Sequence, residues 1–146
     1  MTVAPDWIDY NGHMTESRYL FAVSETTDAF LRGIGADLDY VAAGFSYYTA
    51  ETHLRHLAEA RVGEVLTGTV QILGADPKRL HLFTRIRRGE TLLATAEQML
   101  LHVDRTAGRA CPAPEAILSR LRPLAEAQTA LPRPEGAGRH VGQPRP

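Results

Sequence analysis

Cysteine is nearly absent from this chain: Cys111 is the only one, so no internal disulfide can staple the fold. It lies in a proline-flanked connection with no basic or histidine neighbour in sequence, which argues for a bystander thiol in a reducing compartment. No apolar run approaches the roughly 20 residues of a membrane span, and the chain does not open on a basic segment followed by an apolar one. These absences predict a cytoplasmic protein with no membrane partner. Charge of one sign is also lacking. With 16 basic against 17 acidic residues the net charge is -1, without blocks of like charge, and nucleic acid is excluded as an expected partner. No internal repeat or second domain is visible. The 146 residues, 44% of them hydrophobic, are enough for one domain that needs no staple.

Against these absences one stretch stands out, Trp7-Ile8-Asp9-Tyr10-Asn11-Gly12-His13-Met14. A carboxylate lies three residues before a Gly-His pair, and a helix is predicted to follow, from Thr15 to Gly33. Leu20, Val23, Thr27, Phe30 and Ile34 recur at steps of three and four and form its apolar stripe, and Gly33 and Gly35 stop it. Thr15 is the expected N-cap with Glu16 in the first turn. The first N–H groups of such a helix have no partner within it and suit an anion or a developing oxyanion. Taken by itself, Asp-x-x-Gly-His reads equally as a turn in which Asp9 caps a loop and His13 packs against it.

Thr2 to Ile8 reads as a short first strand, interrupted by Pro5 and so suited to an edge. Gly35 to Gly44 is a connection, and a strand is predicted from Phe45 to about Leu57. In that strand Thr49, Glu51, His53 and Arg55 form a polar row opposite Ala50, Thr52 and Leu54. Glu64 to Leu73 and Leu80 to Arg87 are further strands, joined by the turn Ala75-Asp76-Pro77-Lys78, and Arg88-Gly89-Glu90 turns into a fifth, Thr91 to Val103. The last is apolar at positions of both parities, as expected of an interior strand covered on both faces. The fold class is α+β, one long helix against one face of an antiparallel sheet. A short helix from Glu115 to Leu121 is expected to stop before Pro123. The Pro/Gly/Arg-rich residues 126–146 read as a disordered tail after a domain spanning 1–125.

The order of elements and several blocks together resemble the hotdog-fold acyl-CoA thioesterases of the 4-hydroxybenzoyl-CoA thioesterase type. Within that group the resemblance is closest to those of carnitine catabolism, which act on betainyl-CoA. The blocks are Pro5 to His13, Ala29-Phe30-Leu31 with Ile34-Gly35, Glu51-Thr52-His53, Gln71 to Gly74, Lys78 to His81, and Glu97 to Asp104, and the resemblance covers about residues 3 to 110. Two departures accompany them. Met14-Thr15-Glu16 stands where many members carry Asn-Asn, and only eight residues precede Asp9, so an internal start or a truncated first strand is expected.

The resemblance implies a sheet wrapped around the long helix, an acyl-CoA substrate, no cofactor, and a homodimer or homotetramer with sites between subunits. It implies that Asp9 is the catalytic carboxylate, acting as a nucleophile on the thioester carbonyl or as a base toward water. The N–H groups near Gly12, His13 and Met14 would take the thioester oxygen, with Asn11 and His13 orienting the loop or the substrate. His53 and His56 do not make a metal pair, because strand positions three apart face opposite sides. Glu51 reads either as a functional group or as a salt-bridge partner of Arg55 or Arg85. Trp7, Tyr10, Tyr47, Tyr48, Glu51 and His53 are the expected walls of a site for a trimethylammonium acyl head. Arg55, Lys78 and Arg79 are the expected contacts to the CoA phosphates.

Overall fold

The long helix forms where the apolar spacing places it. In the computed structural model, which describes residues 1–142, α1 runs Glu16–Gly33 with Thr15 at its N-cap position, although the Thr15 side chain makes no capping bond. The short helix α2, Leu38–Ala42, interrupts the expected connection, its start fixed by Asp37, which accepts the Tyr40 N–H. Four long strands follow: β1 Phe45–His56, β2 Thr67–Ala75, β3 Arg79–Arg88 and β4 Thr91–Asp104. A two-residue β5, Arg109–Ala110, pairs with β4, and α3, Glu115–Thr129, closes the chain. All pairings are antiparallel in the order β1-β4-β3-β2, so β4 is interior as its two-sided apolar pattern requires.

The sheet's inner face carries Leu82, Thr84, Ile86, Ala94, Ala96 and Gln98 against α1 and α3. At Gly68 on β2 helix and sheet come close together: the Thr26 side chain of α1 fills the space that a Cβ there would need. At the next residue, Thr27 Oγ1 donates to Gln98 Oε1 at 2.8 Å inside the core, so two buried polar groups satisfy each other across the interface. The stripe of α1 needs correction. Tyr19, Ala22, Val23, Thr27 and Leu31 are buried, whereas Leu20 is 42% exposed. The buried face is rotated by about one residue because the sheet curls around the helix rather than lying flat beneath it.

Four other expectations change. Residues 2–8 are not a strand: Pro5, with its fixed φ, starts a 3-10 turn Pro5–Trp7, and only isolated bridges Thr2–Val65 and Ile8–Met14 flank it. β1 carries a bulge at Ala50, between the pairs Thr49–Leu100 and Glu51–Met99. The extra residue shifts the alternation, so that Tyr48, not Thr49, shares the outer face with Glu51, His53 and Arg55. α3 runs through Pro123 to Thr129, since Ile117 and Leu121 bury one face and Gln128 Oε1 accepts the Ile72 N–H on the edge of β2. The tail expected to be disordered from residue 126 instead continues α3 and then crosses to the sheet's outer face. Gln71 Nε2 donates to Pro132 O at 3.2 Å, Gly138 N to Glu97 Oε2 at 2.5 Å, and Pro134 is buried. Its backbone groups, more than its side chains, make the contacts, which is why composition hid them. Residues 143–146 of the expected tail lie outside the described residues.

Overpacking the close approach at Gly68 should destabilise the whole fold. Gly68→Val is expected to lower unfolding free energy by about 1–3 kcal/mol, read as a lower urea midpoint with an unchanged slope. An unchanged midpoint would mean that α1 does not press on β2 there.

Candidate active site

The Asp9 loop is a tight, closed structure built just ahead of α1. Asp9 N donates to His13 O at 2.9 Å and Gly12 N to Asp9 O at 3.1 Å, and Gly12 takes the positive φ of 81° that this turn needs. At its base Met14 N donates to Ala60 O at 2.8 Å and Thr15 N to Trp7 O at 2.9 Å, which anchors the loop to the segment after β1 and to the 3-10 turn.

The carboxylate of Asp9 is held asymmetrically. Oδ1 accepts the Asn11 N–H at 2.8 Å and the His13 N–H at 3.4 Å, while Oδ2 has only the long contact from Asn11 Nδ2 at 3.4 Å. Partial desolvation pushes its pKa up, but the Asn11 and His13 N–H groups, the Asn11 amide and the nearby His13 together hold it below the ordinary aspartate value. The group is therefore an anion at neutral pH with one oxygen pinned and the other available. His13 Nε2 lies 3.0 Å from Glu59 Oε2, so its ring points back to the anchoring segment rather than over Asp9.

The expected oxyanion donors need correction in part. The N–H groups of Gly12, His13 and Met14 already donate within the chain, to Asp9 O, Asp9 Oδ1 and Ala60 O. Donors without a helical or capping partner lie in the first turn of α1, where Thr15 leaves the N-terminus uncapped by its side chain.

The remaining candidates do not gather around one point. Trp7 packs edge-on against Phe21 at 5.4 Å with the Arg18 guanidinium 5.6 Å from its ring centroid, so a cation already lies over the ring. Tyr10, beside Asp9, is 97% exposed. Tyr47 turns to the inner face against His102 at 5.0 Å, and its buried hydroxyl has no hydrogen-bond partner among the described residues. That burial pushes its pKa above the tyrosine range, with Tyr40 and Asp76 adding to the effect. Tyr48 is on the opposite, outer face and 53% exposed. Glu51 and His53 line a cavity of about 290 Å³ on that face together with His81, Glu97 and Arg139. Within it His81 Nε2 meets Glu97 Oε1 at 2.7 Å, and Glu51 has no ion pair among the described residues, neither with Arg55 nor with Arg85. His53 pairs with Glu97 on the outer face, whereas His56 stacks edge-on with Tyr19 on the inner one, so the two histidines diverge.

The three basic residues are also separated. Arg79 Nε is 2.6 Å from Asp76 Oδ2 in the β2–β3 turn, where Lys78 also sits. Lys78 O takes the N–H of His102 at one end of β4, while Arg55 pairs across from Thr95, seven residues away and so roughly 23 Å along the strand. Sequence reasoning missed the strap that crosses the outer face from Pro132 to Gly138, because it carries no local motif.

A family profile described as the thioesterase-like superfamily matches residues 3–121. The chain is 55% identical over 141 residues to the L-carnitine dehydrogenase/betainyl-CoA thioesterase of Rhizobium meliloti (strain 1021), covering 95% of this chain and 28% of that protein. It thus spans under a third of the length of the first curated relatives it matches. It is 43% identical over 146 residues to the betainyl-CoA thioesterase of Pseudomonas aeruginosa, covering 97% of this chain and 91% of the other. Among solved structures, a hypothetical protein of Staphylococcus aureus in complex with CoA superposes with a TM-score of 0.91 at 29% identity, over 99% of this chain and 92% of that one.

Replacing the anion without changing its shape tests the site. Asp9→Asn is expected to cut thioester hydrolysis about 100- to 10,000-fold in a protein of unchanged stability. In the unaltered protein the acid limb of kcat/KM should fall below the ordinary aspartate value of 3.8, because the loop favours the charged form and activity is lost only as Asp9 protonates. Near-normal turnover by folded Asp9→Asn would remove Asp9 from the chemistry.

Proposed function

The chain belongs to the thioesterase-like superfamily with the hotdog fold, and from that premise we propose that it hydrolyses a small acyl-CoA, betainyl-CoA foremost, to glycine betaine and CoA. The observation that carries the chemistry is the half-held carboxylate: Oδ1 of Asp9 is fixed by backbone N–H groups and Oδ2 is open to a substrate. The curated relatives named for betainyl-CoA support the choice of acyl group.

Two routes use the same oxygen. As a nucleophile, Oδ2 adds to the thioester carbon and expels the CoA thiolate, leaving an anhydride that water then cleaves. As a base, Oδ2 takes a proton from a water that attacks the carbon directly. In either, negative charge develops on the carbonyl oxygen, and the uncapped first turn of α1 supplies donors and a favourable dipole for it. The thiolate leaves readily, so no strong general acid is required. A single turnover in ¹⁸O water separates the routes, since only the nucleophilic one leaves label in the Asp9 carboxylate.

The working unit is a homodimer through the outer edge of β1. That strand is 12 residues long and its free edge carries no partner among the described residues, whereas the β2 edge is met by α3 through Gln128. Antiparallel pairing of β1 with its copy carries the start of one β1, with Tyr48, toward the segment that follows the end of the other, where the carbonyl of Ala60 anchors the loop of Asp9 and Tyr10. Tyr10 and Tyr48, the exposed aromatics of the set, then face a fixed cation, and the bulge at Ala50 puts the unpaired Glu51 on the same face as Tyr48.

Thiol release from a panel of acyl-CoA substrates tests the reading. Betainyl-CoA is expected to exceed its neutral isostere, 3,3-dimethylbutyryl-CoA, by at least about tenfold in kcat/KM, and Tyr48→Ala or Glu51→Ala should erase the difference. Equal rates for both substrates would leave a general acyl-CoA thioesterase, and no thiol release from any would leave a CoA-binding module.

A further inference from the structure

The strap sets a cation on the outer face beside a carboxylate that stands free. It turns tightly after the buried Pro134: Ala137 N donates to Pro134 O at 3.1 Å, and Gly136 and Gly138 take positive φ of 86° and 78°. Gly138 N donates to Glu97 Oε2 at 2.5 Å, and Gly136 packs so closely on Arg55 that Nη1 fills the space its Cβ would need. Phe83, which pairs across from Glu97 and so shares this face, is 1% exposed, as a face open to water would not allow. The strap is thus a packed part of the fold. The residue that follows its anchored turn, Arg139, joins the lining of the cavity of about 290 Å³ that Glu51, His53, His81 and Glu97 border.

Two charged side chains of that cavity are unanswered. Glu97 is taken by His81 Nε2 at 2.7 Å, by Gly138 N and, at 3.9 Å, by Arg133. Glu51 and Arg139 have no opposite charge within ion-pair distance among the described residues, so they do not meet one another although both line the same small space. An anion and a cation held apart in one cavity leave a gap that a molecule carrying both signs closes, each of its charges against the opposite one. A lone cation would gain Glu51 and be opposed by Arg139, and a lone anion the reverse. The volume lies at the small end of ligand cavities, about 300 Å³, and so suits a small solute rather than a nucleotide.

We propose that this cavity binds a small zwitterion, Glu51 taking a quaternary ammonium and Arg139 a carboxylate, and that through it the product of the reaction inhibits hydrolysis. The inhibitory role rests on the thioesterase reading. The chemistry separates product from substrate: a betainyl thioester carries only the cation, and hydrolysis creates the carboxylate. Glu51 serves both, whereas Arg139 acts on the product alone. A guanidinium fork matches a carboxylate through two parallel N–H bonds, an interaction that an uncharged thioester does not offer. The strap thereby acquires a role, since its anchored turn decides whether Arg139 stands at the cavity. Free betaine competes for Glu51 as it accumulates, and the enzyme slows.

The test separates the site from the reaction. In calorimetry on the full chain, glycine betaine is expected to bind at least about tenfold more tightly than tetramethylammonium or 3,3-dimethylbutyrate, which carry one charge each, and Arg139→Gln should erase its advantage over tetramethylammonium. In thiol release from betainyl-CoA, glycine betaine should inhibit competitively. Its inhibition constant should rise at least about tenfold in Arg139→Gln while kcat and KM hold, and Arg139→Lys, which keeps the charge but loses the fork, should fall between. Betaine binding that depends on Arg139 in a protein that hydrolyses no thioester would sustain the site and defeat the thioesterase reading. Binding that leaves hydrolysis uninhibited would overturn the inhibitory role. Betaine affinity no greater than that of tetramethylammonium, or unaltered by Arg139→Gln, would overturn the site itself.

Discussion

The close approach of α1 to the sheet at Gly68 is the constraint from which the rest follows. With no Cβ on β2 at that point, Thr26 drops into the strand surface and Thr27 reaches Gln98 on the interior strand. The helix is thereby fixed along its length, and its first turn comes to a definite place at one end of the sheet. The Asp9 loop has little freedom after that. Ile8 bridges Met14, Met14 N–H is tied to Ala60, and Thr15 N–H to Trp7, so the loop is a short closed circuit between helix and sheet. A catalytic carboxylate needs this kind of support, since a small displacement of the attacking oxygen costs far more in rate than it does in stability.

The loop uses its own N–H groups to organise Asp9 rather than a substrate. That choice has a chemical result. A carboxylate that accepts two backbone N–H bonds on one oxygen is held in one orientation and favoured as the anion. The N–H groups of Gly12 and Met14 are also occupied within the chain, which leaves the start of α1 as the proposed place for oxyanion stabilisation.

Most of the architecture was legible because it is written in periodicity. The two-sided apolar pattern of 91–103 put that strand inside the sheet, and the turn residues at 75–78 and 88–90 separated the hairpins, all from local information. What escaped was non-local. Pro123 looks like a stop, yet Ile117 and Leu121 bury enough of α3 to carry the helix past it. The bulge at Ala50 has no signature in sequence and reverses which of Tyr48 and Thr49 shares a face with Glu51. Residues 130–142 have little to bury, and they dock through backbone groups onto Gln71 and Glu97, side chains distant in sequence. Of the candidate site the sequence offered one compact motif, at Asp9, and scattered residues elsewhere, since the aromatic residues belong to opposite faces that one subunit does not bring together.

In the proposed dimer a second copy closes the open edge of β1 and brings Tyr48 toward an Asp9 loop. Specific activity followed by dilution, with the molar mass read by light scattering at each concentration, tests this most directly. Activity should fall in step with the dimer fraction and vanish with it, and a monomer that retains full specific activity would contradict the account.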